Sequence, residues 1–158
     1  LATDDASERL AWQHAIREYR KIYGESSIDV FVSVPPTAPL RKVEDIDRCI
    51  ESLLDSDADM VYTVTPATRS PYMNIVEVDQ AGYARLAVQS SHKPFRRQDT
   101  PVLYDSATIA YAARPDHILV SDYFFDGRVK AVVSPKERAW DIDTELDFKI
   151  AEYLVGNS

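Results

Sequence analysis

Two carboxylates one residue apart, Asp141 and Asp143, stand in the run Trp140-Asp141-Ile142-Asp143-Thr144-Glu145-Leu146-Asp147-Phe148. In an extended segment residues i and i+2 face the same way, so the pair would point together while Ile142 turns toward the core. Two hard oxygen donors aimed at one point suit Mg²⁺, which takes one or two protein carboxylates and completes its shell with water and substrate phosphates. The same stretch has a plainer use. Asp143 or Thr144 can cap a helix beginning at Glu145, with Asp147 three residues after Thr144 as in a capping box. Capping and metal binding are compatible.

A second stretch, Val34-Pro35-Pro36-Thr37-Ala38-Pro39-Leu40-Arg41, follows a short apolar run and brings a hydroxyl and a guanidinium to a rigid turn. Arg41 precedes Glu44 and Asp45, so a local ion pair explains it as well as a ligand does. Lys93, Arg96 and Arg97 form the one local cluster of cations, suited to a small anionic substrate. If the chain is extended there, one of Arg96 and Arg97 faces solvent and the other the cleft. Tyr104 either packs with its hydroxyl satisfied or lines a ligand pocket.

Composition narrows the partners. With 18 Lys and Arg against 26 Asp and Glu, the net charge of −8 opposes nucleic acid or an anionic membrane surface. The single cysteine, Cys49, rules out an internal disulfide framework and reads as a half-buried structural thiol. None of His14, His92 and His117 has ligand spacing to another, which argues against zinc. No window approaches 18 apolar residues and the first residues carry neither a basic region nor an apolar run, so a soluble, cytoplasmic protein is expected.

The elements that must position these residues follow from periodicity. Residues 4–23 read as a helix, with Leu10, Ala11, Ala15, Tyr19, Ile22 and Tyr23 near helical spacing and Gly24 as its stop. Ile28 to Val34 reads as a buried strand ended by prolines. A helix over Val43–Leu54 presents Val43, Ile46, Ile50, Leu53 and Leu54, and a strand follows at Met60–Val64. This alternation argues for an α/β domain with a largely parallel sheet, whose ligands gather beyond the C-terminal strand ends. Residues 74–79 and 83–88 flank Gln80-Ala81-Gly82 as a hairpin, and Ser106–Ala112 reads as another strand. Residues 66–120 therefore read as an insertion with antiparallel strands, closed by a helical turn at Pro115–Leu119. An apolar strand at Val129–Val133 and a helix over Glu145–Val155, burying Leu146, Ile150, Tyr153 and Leu154, complete one domain spanning residues 1–158.

The joint order of Pro36-Thr37-Ala38-Pro39-Leu40-Arg41, Arg96-Arg97-Gln98-Asp99-Thr100-Pro101 with Tyr104, and Asp141-Ile142-Asp143-Thr144-Glu145-Leu146-Asp147-Phe148 resembles the acylneuraminate (CMP-sialic acid) cytidylyltransferase family across essentially the whole chain. The resemblance implies a Rossmann-like nucleotidyltransferase fold, a mostly parallel sheet flanked by helices, with an antiparallel dimerisation insertion. It also implies transfer of cytidylate from CTP to a 3-deoxy-ulosonic acid with Mg²⁺ as cofactor. By that resemblance Asp141 and Asp143 hold the metal, and Arg96, Arg97 and Gln98 engage the acidic sugar. Tyr104 lines the sugar pocket, Thr37 and Arg41 belong to the cleft turn, and the enzyme is a homodimer. Phe124 and Phe125, adjacent in a loop, are candidates for that interface.

The departures are specific. Pro35 and Ala38 replace a glutamine and a serine usual in relatives, and Asp105-Ser106-Ala107-Thr108 stands where an Asn-Gly pair is common. Relatives begin with a strand and a Gly/Arg/Lys-rich loop that holds the triphosphate, and no such run occurs in these residues. The resemblance therefore implies the C-terminal portion of the enzyme, expected to be inactive by itself. A rival reading is a non-catalytic sugar-acid-binding or dimerisation module of the same descent.

Overall fold

The computed structural model describes residues 7–89 and 96–157. Strands β1 (Phe31–Ser33), β2 (Met60–Pro66), β5 (Tyr104–Ala113) and β6 (Val129–Val133) form one sheet in the order β1-β5-β2-β6, and β3 (Val76–Val78) pairs with β4 (Ala84–Leu86) in a separate hairpin. β2 and β6 are parallel, while β5 runs antiparallel to both β1 and β2. Three of the four strands thus share a direction, as the alternation of helices and strands predicts. The fourth lies between them, so β5 belongs to the main sheet rather than to an appended unit, and only the hairpin is separate from it.

β5 is irregular where it passes β2. Tyr62 pairs with Tyr111 but Thr63 pairs with Ala107, so Thr108, Ile109 and Ala110 bulge out of the ladder. Buried backbone groups freed in this way need other partners. Thr63, fully buried, supplies two: its Oγ1 donates to the Ala107 carbonyl at 2.7 Å and accepts from the Ala110 amide at 3.3 Å. The carbonyl of Ile109 accepts from Arg41 at 3.0 Å.

Among the described residues the α-helices are α1 (Glu8–Tyr23), α2 (Val43–Leu54), α3 (Pro115–Val120) and α4 (Glu145–Gly156). In α2, Cys49 and Leu53, with Ile46 and Ile50 beside them, pack on Val61, Ile109, Ala112 and Val132. Val43 and Leu54, expected on the same face, are exposed. In α1 the core residues are Trp12 and Ile16, which join Met60, Ala113 and Ile118, while Leu10, Tyr19, Ile22 and Tyr23 face outward. Residues 4–6, expected to begin this helix, lie outside the described residues. The face of α4 also differs from expectation. Ala151 is buried with Ile150 and Leu154 alongside, but Leu146 and Tyr153 are exposed. A hydrophobic stripe names residues able to face a core, and the packing partner decides which of them do.

A groove of about 520 Å³ runs along the free edge of β1, lined by Ala15, Ile16 and Tyr19 of α1 and by residues 27–32. None of the candidate site residues lines it.

Candidate active site

Arg41 is the organising side chain of the proline-rich turn. Its Nε donates to the Ala38 carbonyl at 2.9 Å, its Nη1 to the Ile109 carbonyl at 3.0 Å, and its Nη2 to the Pro35 carbonyl. The planar guanidinium, with five N–H donors spread over three nitrogens, holds three main-chain oxygens that lie apart from one another. The local ion pair expected for Arg41 is not formed: its guanidinium clamps the turn onto the β5 bulge instead of pairing with Glu44 or Asp45. Burial lowers its pKa from the usual value. Ala38 is itself buried inside the clamp.

The turn and the acidic run meet through the main chain. The amide of Ile142 donates to the carbonyl of Thr37 at 2.9 Å, so the segment bearing Asp141 and Asp143 lies against the turn. Its other end is fixed by Trp140, whose indole Nε1 donates to the Asp147 carbonyl at 3.0 Å. The choice left open for the helix start is resolved in favour of Thr144. Its Oγ1 accepts from the Asp147 amide at 3.3 Å while its own amide donates to the Asp147 carboxylate at 2.9 Å, forming the capping box. The hydrogen bond from Thr144 holds the Asp147 carboxyl below the usual carboxylate range. Capping thereby occupies Thr144 and Asp147 and leaves Asp141 and Asp143 to other uses.

Asp141 is half-buried, and its inner Oδ1 has no hydrogen-bond partner. A buried carboxylate oxygen without a donor is costly, so it fits a site whose partner arrives with a ligand. Its charge is felt at Tyr111 on β5, whose pKa is raised first by burial and then by Glu8 and Asp141. Asp143 is exposed. Among the described residues no group of three or more His, Cys, Asp or Glu side chains converges to hold a metal. A pair of carboxylates is nevertheless what Mg²⁺ needs when water and phosphate complete its shell, so the residues fit that ion.

Asp141 also lines a cleft of about 270 Å³ with Thr65, Asp105, Ser106, Lys136, Ala139, Trp140 and Asp147. The cleft opens at the C-terminal ends of β2 and β6, where ligands of open α/β sheets bind. The sequence singled out only Asp141 among its polar side chains as a site residue. Lys136 carried a detectable signal as a cation just past a strand end, whereas Thr65 and Ser106 carried none. Lys136 Nζ donates to Thr68 Oγ1 at 2.6 Å, which holds the ammonium at the rim.

The remaining expected site residues are not gathered there. Arg96 and Gln98 are exposed around a short 3₁₀ turn, Arg97–Asp99, and do not line the cleft. The Arg97 side chain and Lys93 lie outside the described residues. Tyr104 opens β5 opposite Pro66 and is 48% exposed, so it is not packed away. Phe124 is partly buried, edge-on to Tyr62 and Tyr111, and half of Phe125 is exposed. Phe124 is thus largely a core residue.

A sheet crossed by one antiparallel strand, with a turn and an acidic loop meeting at its C-terminal end, places the protein among the α/β nucleotidyltransferase folds. A solved structure of similar shape is the 4-diphosphocytidyl-2C-methyl-D-erythritolsynthase from Anaerococcus prevotii, with a TM-score of 0.63 at 14% identity, covering 96% of this chain and 68% of that one. No profile of a known protein family matches the chain. Individual relatives do. Post-translational flagellin modification protein B of Campylobacter coli is 30% identical over 155 residues, covering 98% of this chain and 64% of the relative. The CMP-N,N'-diacetyllegionaminic acid synthase of Campylobacter jejuni is 33% identical, with 75% and 58% covered, and the N-acylneuraminate cytidylyltransferase of Streptococcus agalactiae is 30% identical, with 94% and 34% covered. The chain belongs to the sialic-acid cytidylyltransferase family. It spans less than two thirds of the length of each of these relatives.

Proposed function

We propose that the protein serves magnesium-dependent transfer of cytidylate from CTP to a 3-deoxy-ulosonic acid of the sialic type, giving a CMP-sugar and pyrophosphate. The observation that carries this reading is the Ile142–Thr37 bond, which brings the acidic run to the proline-rich turn while Asp141 Oδ1 is left without a donor. Asp141 and Asp143 are the residues that would hold Mg²⁺, whose bound charge offsets that developing on the transferring phosphate. Arg96 and Arg97 are assigned to the sugar carboxylate, which a guanidinium fork matches, and Gln98, Tyr104 and Thr37 to the surrounding substrate surface. Lys136 at the rim adds a cation facing anionic substrate.

In the reaction the anomeric hydroxyl oxygen attacks the α-phosphorus in line. A new phosphorus–oxygen bond forms as the bond to pyrophosphate breaks, and the hydroxyl proton is released. The chain's contribution is positioning and charge stabilisation rather than covalent chemistry. A cytoplasmic site of action goes with the nucleotide substrate. The β3–β4 hairpin is assigned to a homodimer contact, because an isolated two-stranded hairpin is marginally stable and this one leaves Val76, Val78 and Tyr83 exposed.

Pyrophosphate release by the full-length enzyme, with CTP and a panel of ulosonic acids, tests the reading. The expected result is magnesium-dependent release with at least one nine-carbon acid. Calorimetric binding of such an acid without release under any magnesium concentration would favour the non-catalytic module.

A further inference from the structure

Asp45 is fully buried, which is rare for a carboxylate unless every oxygen is engaged. Only part of that engagement serves its own helix. Its Oδ2 accepts from the Lys42 amide at 3.0 Å, closing the first turn of α2 directly after the Arg41 clamp. Its Oδ1 faces away from the helix, accepting from Ser134 Oγ at 3.0 Å and pairing with Arg138 Nη1 at 3.5 Å. Glu44, one residue earlier, pairs with the same Nη1. A helix cap alone would need neither Ser134 nor Arg138.

Both of those partners lie on the route to Asp141. Ser134, also fully buried, extends the β2–β6 ladder through its amide on the Val64 carbonyl at 2.8 Å. Arg138 lies three residues before Asp141, with its side chain only 12% exposed. Ala139 packs on the core, and Ile142 then reaches Thr37. One carboxylate therefore grips the proline-rich turn through Lys42 and the acidic loop through Ser134 and Arg138.

We infer that Asp45 is a positioning residue of the active site: its buried carboxylate fixes the loop carrying Asp141 against the turn carrying Thr37, and so sets where the Asp141 carboxylate stands. The inference rests on the reading of Asp141 as a metal ligand. Outer partners that orient a ligand in this way typically contribute about 10- to 100-fold in metal affinity or activity.

Two readouts test it. Amide hydrogen exchange, followed residue by residue, compares Ile142, which reports the junction, with Ala112 in the sheet. In Asp45→Asn the Ile142 amide is expected to exchange about tenfold faster or more while Ala112 is unchanged, since local opening is then independent of global unfolding. Mn²⁺ binding in the presence of CTP, read by electron paramagnetic resonance, is expected to weaken about tenfold in the same variant. Unchanged exchange at Ile142, or a uniform rise at both amides, would overturn the inference. Should Asp45→Asn fail to fold, Arg138→Met removes only the loop's end of the contact and must accelerate Ile142 in the same way. Asp141→Asn separates the two claims. It should weaken Mn²⁺ binding while leaving Ile142 protected, and if it leaves Mn²⁺ binding intact the metal reading fails while the exchange result still decides the role of Asp45.

Discussion

The amide of Ile142 rests 2.9 Å from the carbonyl of Thr37, and this one bond joins the two stretches whose residue types first suggested chemistry. Because it is made by main chain, it fixes the spacing of the loops without consuming a side chain. The carboxylates of Asp141 and Asp143, on either side of Ile142, take no part in that junction.

In the complete enzyme, Asp141→Asn and Asp143→Asn are each expected to lower turnover on the order of 10²-fold or more, since each removes a charged oxygen from a site proposed to hold a cation against phosphate. Raising magnesium should partly restore whichever variant keeps the better-placed carboxylate. Steady-state rates across a magnesium titration provide the check. Near-normal rates in both variants at limiting magnesium would remove the metal assignment.

Arg41→Lys should destabilise the fold although charge is conserved. The ammonium cannot reach the Pro35, Ala38 and Ile109 carbonyls together, and at least one buried acceptor loses its donor. The expected loss is about 2 kcal/mol, read from urea unfolding. A variant as stable as the parent would mean that the clamp contributes nothing.

Much of the frame was legible in advance because periodicity reports local structure directly. The spans of α2 and β6 follow from the spacing of Ile46, Ile50 and Leu53 and from the apolar run at Val129–Val133. Pairing was less legible. A ten-residue strand at Tyr104–Ala113 carries no mark saying that it enters the middle of the sheet, and its bulge depends on the hydroxyl of Thr63 and the fork of Arg41. Charge also misleads: Asp45, in the sequence only a neighbour able to pair with Arg41, lies fully buried on Ser134 and Arg138, which are distant in sequence. At the candidate site, the acidic run and the turn that meet there could be picked out by residue type, whereas Thr65 and Ser106 look like any strand residue.

Acid should weaken the protein partly through Asp59. The Arg128 side chain, followed by its backbone amide, holds the Asp59 carboxyl below its ordinary value. A carboxylate depressed in the folded state adds stability above its unfolded pKa of about 4, and that contribution is lost as pH falls through the lower folded value. Asp59→Asn is therefore expected to reduce the drop in urea midpoint between about pH 7 and about pH 3. An identical drop in variant and parent would show that the pair is fully screened.

Gly127 guards the same pair. Its φ is 75°, and an added Cβ would stand 2.8 Å from Asp59 Oδ2. Gly127→Ala should cost about 1 kcal/mol or more from backbone strain alone, measured by thermal unfolding.

The last expectation concerns the hairpin. Val76 faces Leu86 and Val78 faces Ala84 across the β3–β4 ladder, so these four share one face. Glu77 and Arg85 share the other, where they form an ion pair at 2.8 Å. The hairpin is thus amphipathic, yet its apolar face is uncovered, with Val76 51% and Val78 64% exposed. Alternation of this kind arises where one face is buried, and two strands alone cannot supply the burial. A second copy presenting the same face would cover both hairpins at once, as an isologous contact requires. Val78→Asp places a charge in that contact and should shift the protein toward monomer in sedimentation at tens of micromolar, roughly the range in which such interfaces persist. The conservative Val78→Ile should leave the assembly intact. A parent protein that sediments as a monomer at that concentration would refute the dimer contact outright.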